Sequence, residues 1–303
     1  MANLEFGISL SRLDDVATEA QTAEALGYDY VTSGEHVFFH GPTGNGLMSL
    51  AAAAGATKRI KLLSSITLVP LYPAALLAKQ TAALDVLSSG RFNLGVGVGG
   101  EFPSEFEACG VPVGERGART NEALDVITRL WTEDNVSFDG RFTTLSGVTL
   151  APKPKQNPHP PIWVSGRSDA AMRRAARYAN GWLPYMYTPD MLAASIETIG
   201  AYASDYGRPD AVMPGLFIFF AVHADGARGL EMATERLSIQ YNQDFSKLVG
   251  KYALAGDPDA VIARLTEYLD AGATTVILSS ACPGEHVAEN LRLMAEQVLP
   301  AFR

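Results

Sequence analysis

Apolar residues along this chain fall into short buried-looking runs. These alternate with longer segments whose apolar positions recur every three or four residues, the pattern of strands separated by amphipathic helices. Leu4 to Leu10 reads as a buried strand. Ser11 or Asp14 caps the helix that follows, where Val16, Ala20, Ala23 and Leu26 share one face. Gly27 stops that helix ahead of a second strand, Tyr28 to Ser33. The same helix–glycine–strand junction returns before Arg91–Val98, Trp182–Tyr185 and Thr274–Ser279. Strands are also predicted over Lys61–Val69, Pro161–Ser165 and Leu216–Val222. Helices are predicted over Leu47–Thr57, Ala74–Leu87, Arg116–Trp131, Asp169–Ala179, Met191–Tyr206, Ala227–Gln240, Asp257–Asp270 and Glu285–Leu299.

Strands separated almost throughout by helices predict an α/β chain folded as a TIM (β/α)8 barrel, with a doubly wound open sheet as the alternative. The expected organisation is a single domain over residues 1–303 with insertions after strands four and seven. The first insertion is Thr132 to Pro160, with a hairpin signal at Asp139–Gly140. The second is an irregular stretch from about Asn242 to Gly256.

Composition narrows the function classes. A 47% hydrophobic content over 303 residues supplies a large core. A net charge of −9 and a pI near 5.1 argue against nucleic acid and anionic membranes as partners. Cys109 and Cys282 have no metal-like spacing, and two thiols in a chain this long suggest a reducing cytoplasm. The first ten residues lack a basic region followed by a long apolar run, so no signal peptide is expected.

In a barrel the chemistry belongs at the C-terminal ends of the strands. Those ends read Ser33–Gly34–Glu35–His36, Ser64–Ser65–Ile66–Thr67, the glycine run up to Glu101, Ser165–Gly166–Arg167–Ser168, Tyr185, His223 and Ser279–Ser280. His36 is the candidate general acid/base, since imidazole titrates nearest neutrality; the alternative is a structural histidine bonded to a loop carbonyl. Glu101 is a candidate proton donor if burial raises its pKa, and otherwise a solvated loop carboxylate. Ser165, Gly166, Arg167 and Ser168 open a helix with amides, hydroxyls and a guanidinium suited to a phosphate, or form an ordinary serine cap beside a surface arginine.

Gly95, Gly97 and Gly100 match a G-x-G-x-x-G pattern, but Pro103 and a polar run follow where a dinucleotide fold opens its helix at once. The glycines favour instead a flat ligand against the chain at Gly97 and Gly99, with close backbone packing as the other reading. His36 and His40 lack the glutamate of a zinc-protease helix, and no G-x-S-x-G elbow is present.

Several segments together carry a family resemblance: A-L-G-Y-D-Y-V-T-S-G-E-H (25–36), L-L-A-K-Q-T-A-A-L-D-V-L-S-S-G-R-F-N-L-G-V-G-V-G (76–99), E-F-E-A-C-G-V-P (105–112), R-G-A-R-T-N-E-A-L-D-V-I-T-R-L-W (116–131), F-D-G-R-F (138–142), P-K-P-K-Q-N-P-H-P-P-I-W-V-S-G-R-S (152–168) and A-N-G-W-L-P (179–184). The chain resembles the luciferase-like flavin-dependent oxidoreductases, specifically the branch labelled coenzyme F420-dependent. The resemblance implies a TIM-like barrel with a reduced flavin (FMN) or deazaflavin (F420) at the strand C-termini.

It further implies cofactor phosphate on Ser165–Ser168 and a ring system on strand three around Ser65, Ile66 and Thr67, often over a non-prolyl cis peptide, here near Ser65–Ile66. The catalytic histidine of the F420-dependent sugar-phosphate dehydrogenases matches His36. Their acid/base glutamate matches Glu101 if one residue is inserted before it. Glu35 stands where they carry Asp, and the basic residues that hold their sugar phosphate have no counterpart, so that activity is not carried over.

The expected function is therefore an oxidoreductase acting by hydride transfer on a small, fairly apolar organic substrate. The alternative is an FMNH2-dependent monooxygenase inserting oxygen from O2. A binding protein on a barrel scaffold fits less well, because the polar groups gather at one end. The resemblance also points to a homodimer, expected through the helices Ala74–Leu87 and Arg116–Trp131.

Overall fold

A computed structural model of the chain describes residues 4–11 and 13–303. Part of the segment read for a signal peptide, residues 1–3, lies outside the described residues. Eight parallel strands close into a barrel: Glu5–Ser9, Tyr30–Ser33, Lys61–Ser64, Phe92–Gly97, Ile162–Val164, Gly181–Trp182, Met213–Val222 and Thr275–Ser280. Closure is explicit in the register. Phe6 of strand one pairs with Val276 of strand eight, and Gly7 with Tyr30 of strand two. Strand seven pairs through Met213 with Gly181 of strand six and through Leu216 with Val276 of strand eight. A ring without edges excludes the open-sheet alternative.

Complementary side-chain sizes fill the barrel. Trp163, Tyr30, Leu63, Leu183 and Ile277 form a buried interior cluster. Trp163 fits because two neighbouring strands present no side chain to it. A Cβ on Gly181 would lie 2.4 Å from its ring, and one on Gly215 2.9 Å. At the N-terminal end Lys61 pairs with Glu5, which also accepts the Tyr30 hydroxyl at 3.0 Å. That end is closed by packed rings and an ion pair, so the opposite end is where side chains are left to do chemistry.

Helices surround the ring where the apolar periodicity placed them. Ala74–Leu87 has the expected bounds, and Arg116–Thr132 and Asp169–Tyr178 differ from expectation by one residue. The long helix Arg116–Thr132 packs on Ala74–Leu87, where the Trp131 indole N–H donates to the Ala78 carbonyl at 3.1 Å. Its large apolar side chains are buried, so the apolar surface expected on both helices for a dimer contact survives only on Ala74–Leu87, at Leu76, Val86 and Leu87.

Three local expectations differ from the structure. Strand three stops at Ser64, the Ser65–Ile66 peptide is cis, and only Thr67–Leu68 resume pairing, with strand four. The hairpin between strands four and five joins Val136–Asp139 to Thr144–Val148, but residues 140–143 make the turn rather than Asp139–Gly140 alone. Glu122 of the neighbouring helix accepts the Arg141 and Phe142 amides, each at 2.8 Å, which holds the wider loop open. Between Asn242 and Gly256 lie a short helix, Val249–Tyr252, and a strand, Ala253–Gly256, parallel to the far end of strand seven. Among the described residues no helix is long and apolar enough to cross a membrane.

Candidate active site at the barrel mouth

Strand two ends by sending two side chains in different directions. Glu35 turns inward and is 9% exposed. Its carboxylate accepts the Leu68 amide and the Tyr72 hydroxyl, both at 2.9 Å, and so ties the loop after strand two to the resumed part of strand three. Burial pushes its pKa up, against the pull of those hydrogen bonds.

His36 points into an aromatic cluster. Phe39 stacks on its ring at 4.6 Å and Phe102 meets it edge-on at 5.7 Å. Its Nδ1 lies 3.0 Å from Oε1 of Glu105, a carboxylate only 1% exposed on the short helix Pro103–Ala108. The other oxygen of Glu105 accepts the Val37 amide at 2.6 Å and, more weakly, the Phe38 amide at 3.4 Å. The structural alternative weighed for His36, a bond to a loop carbonyl, is not what the ring makes: its partner is a buried carboxylate.

On strand three, Ser65 and Ile66 are half-buried at the cis peptide, and the Ser65 hydroxyl donates to Thr32 at 2.8 Å. Thr67, grouped with them as a cofactor contact, is fully buried, and its hydroxyl has no partner among the described residues. Its side chain is therefore shut off from the mouth. The glycines of strand four face protein at close range. A Cβ on Gly95 would sit 1.8 Å from the Ser64 carbonyl oxygen, and one on Gly97 1.7 Å from Cδ1 of Ile66. Beside Gly99, which has φ +60°, lie Leu68 and Phe106. Close packing of strand three on strand four accounts for Gly95 and Gly97, and Gly97 shapes the mouth through the position it allows Ile66.

Glu101 is exposed, so the burial that was to make it a proton donor is not there. It accepts the Tyr185 hydroxyl at 2.5 Å. Burial, reinforced by this carboxylate, pushes the Tyr185 phenol up. The Arg167 guanidinium lies 5.3 Å from the centre of the same ring. Glu101, Arg167 and Tyr185 border a cavity of about 270 Å³ whose far wall is Tyr241, Phe245 and Tyr252. Tyr241 stacks on Phe245 at 5.4 Å, which holds that wall flat. A second hollow, about 420 Å³ and open, lies at Pro103, Glu107 and Val111 and contains none of the candidate residues.

Ser165 and Gly166 are half-buried, Arg167 and Ser168 exposed. The Ser168 hydroxyl oxygen caps the next helix by accepting the Ala171 amide at 3.2 Å. Its own hydrogen stays available to an anion. Gly166, at φ +121°, turns its carbonyl to the Trp182 indole N–H at 3.0 Å, which fixes the loop from below.

The structure thus brings Glu101 and Arg167 together around one cavity, keeps Ser165, Gly166 and Ser168 in the loop that carries Arg167, and sets His36 in a separate cluster held by Glu105. Residue reading missed Glu105, Tyr185's bond to Glu101 and the aromatic wall from Tyr241 to Tyr252. Glu105 stood within a segment of the resemblance, E-F-E-A-C-G-V-P, without a role.

Comparison with known proteins agrees with the barrel fold. A family model described as luciferase-like monooxygenase matches residues 6–275. An FMNH(2)-dependent dimethylsulfone monooxygenase of Pseudomonas putida is 30% identical over 262 residues, covering 84% of this chain and 67% of its own. An F420-dependent glucose-6-phosphate dehydrogenase of Microbacterium testaceum is 27% identical over 315 residues, covering 93% and 91%. Among solved structures, the monooxygenase RslO1 of Streptomyces bottropensis superimposes with a TM-score of 0.89 at 27% identity, over 99% of this chain and 100% of that one.

Proposed function

The chain belongs to the luciferase-like monooxygenase family, and on that premise we propose that it transfers a hydride between F420 and a small organic substrate at the C-terminal mouth of the barrel, which carries both the His36 cluster and the cavity at Arg167. The observation that carries this reading is Arg167, a guanidinium at the start of the helix Asp169–Tyr178 on the rim of the 270 Å³ cavity. A phosphate-bearing cofactor fits that rim, because the guanidinium, the free hydrogen of Ser168 and the first amides of the helix all offer donors to an anion.

Ser165, Gly166, Arg167 and Ser168 would hold the phosphate, and Ser65 and Ile66 would underlie the ring. Bound there, a deazaflavin or flavin would supply two electrons as a hydride equivalent in its reduced form, or take them in its oxidised form. The chain's own residues do the rest. His36 takes or returns the substrate proton at its ring. Tyr185 holds Glu101 at the rim. Tyr241, Phe245 and Tyr252 keep water from one side of the cavity and present flat apolar surface to the substrate. FMNH2-dependent oxygen insertion is the second reading, supported by the likeness to the dimethylsulfone monooxygenase and to the monooxygenase RslO1. The proposal extends to a single domain over residues 1–303, a homodimer and a cytoplasmic setting.

A binding titration of the purified protein with F420 and with FMN, read by fluorescence, tests the reading. Binding of F420 supports hydride transfer and binding of FMN alone supports oxygen insertion. Binding of neither would sink the cofactor assignment.

A further inference from the structure

We infer that Glu105 is the positioning residue of His36: it holds the ring in the tautomer that carries hydrogen on Nδ1, which leaves Nε2 bare as the atom that exchanges the substrate proton. The inference rests on the proposed role of His36 and adds an atom and an orienting partner to it.

The geometry is specific. Oε2 of Glu105 is committed to the chain, accepting Val37 at 2.6 Å and Phe38 at 3.4 Å. That leaves Oε1 facing Nδ1 of His36 at 3.0 Å. An ionised carboxylate only accepts hydrogen bonds, so Nδ1 must be the donor. In the neutral ring the hydrogen is then on Nδ1 and the lone pair on Nε2, at the opposite edge. Phe39, stacked 4.6 Å away, fixes the ring plane. Glu105 itself cannot drift, because it is 1% exposed and bonded to two amides of the loop that carries His36.

A buried acceptor that meets both the ring and its own loop is the arrangement by which orienting carboxylates serve catalytic histidines in hydrolases. The proton step balances simply. The substrate O–H or N–H bond breaks, its hydrogen joins Nε2, and the imidazolium formed is stabilised by Glu105 through Nδ1–H. In the reverse direction Nε2 returns the hydrogen.

Glu105→Gln makes a sharp test, because the two amide positions are not equivalent. Val37 and Phe38 need an acceptor, so the amide oxygen takes the place of Oε2 and the NH2 group faces Nδ1. An NH2 there demands a lone pair on Nδ1 and drives the hydrogen to Nε2. The variant keeps shape and volume but inverts the tautomer.

The experiment is nitrogen NMR of the protein with ring-labelled histidine, above the ordinary imidazole titration range, with the His36 signals assigned by their loss in His36→Ala. It is paired with single-turnover reoxidation of bound reduced cofactor. In the parent, His36 is expected as the Nδ1–H tautomer. In Glu105→Gln it is expected as Nε2–H, with turnover lower by on the order of a hundredfold or more and cofactor affinity within a few-fold. A parent His36 in the Nε2–H form overturns the inference, and this reading stands even if Glu105→Gln fails to fold. So does parent-like turnover in Glu105→Gln while His36→Ala is slow. Parent-like turnover in His36→Ala is the different failure, since it removes His36 from the chemistry and Glu105 with it.

Discussion

Tyr185 donates its hydroxyl to Glu101 across 2.5 Å, so the chain after strand six is bonded to the loop after strand four at the edge of the cavity. The bond makes Tyr185 the donor and the exposed Glu101 the acceptor. Both then act as one unit at the rim, and the ring of Tyr185 also supports Arg167.

Alkaline pH should loosen the fold through such tyrosines. Burial pushes the phenols of Tyr28, Tyr30, Tyr185 and Tyr241 above the ordinary value of 10.0. Above pH 10 the unfolded chain releases these protons and the folded chain keeps them, so folding becomes less favourable as pH rises. Stability from this source is complete below pH 10 and declines above it. Melting temperature measured from pH 8 to 11 should fall beyond 10, with tyrosinate absorbance appearing in step with unfolding. A flat profile through pH 11 would count against the burial of these hydroxyls.

Removing the anion-binding cation should separate binding from folding. Arg167 is exposed and stacks on one ring, so Arg167→Ala should change stability by about 0.5 kcal/mol or less. Cofactor affinity should drop by roughly tenfold or more, the value of a charge-assisted contact to phosphate. Ser168→Ala differs, because it also removes a helix cap worth about 1 kcal/mol. Unchanged affinity in Arg167→Ala would remove the phosphate from this rim.

The two close glycines of strand four should respond differently to a methyl group. At Gly95 the obstacle is backbone, the Ser64 carbonyl, so Gly95→Ala should cost about 1–3 kcal/mol or more whatever is done nearby. At Gly97 it is the tip of a side chain, Cδ1 of Ile66. Gly97→Ala should push Ile66 toward the mouth and weaken cofactor binding. Gly97→Ala with Ile66→Val, which lacks Cδ1, should recover most of that affinity. Equal behaviour of the pair in melting and binding assays would refute this division.

How much could be read beforehand follows from the range of the forces involved. Ala74–Leu87 and the barrel class were legible because helix periodicity and glycine stops act over a few residues. The break at Ser65 did not show within the predicted strand Lys61–Val69 and entered only through the resemblance. The strand Ala253–Gly256 was missed because A-L-A-G has little β-forming character of its own and pairs only with the end of strand seven. At the site, His36, Arg167 and Ser168 could be named from the ends of strands. Glu105 could not, because its partner is 69 residues away and nothing local marks it. Gly97 was read as ligand space, while the volume beside it belongs to Ile66.

Apolar side chains left on one helix bear on assembly. Leu76, Val86 and Leu87 are 50%, 42% and 70% exposed on Ala74–Leu87. Paired across a two-fold axis such a helix buries them against copies of themselves. Light scattering at micromolar concentration should give twice the chain mass, and Leu87→Glu should lower it toward one chain. A parent mass of one chain would end the dimer proposal.

The mechanism turns on His36. It sits at the strand end of a barrel whose other end is closed, on a loop anchored by two buried carboxylates, Glu35 and Glu105. Neither the cavity nor the phosphate rim depends on its side chain, so His36→Ala should leave cofactor affinity within a few-fold. Loss of general acid/base help is commonly worth about two to four powers of ten. Turnover should therefore fall by on the order of a hundredfold or more. Glu101 is exposed and held by Tyr185, so Glu101→Gln should affect substrate binding and the rim more than the proton step, a KM change larger than the kcat change. A bell-shaped rate profile that loses one limb in His36→Ala would assign that limb to the histidine. If His36→Ala turns over a true substrate at the parent rate from roughly pH 6 to 9, the ring is there to pack between Phe39 and Phe102, and proton transfer belongs to another group.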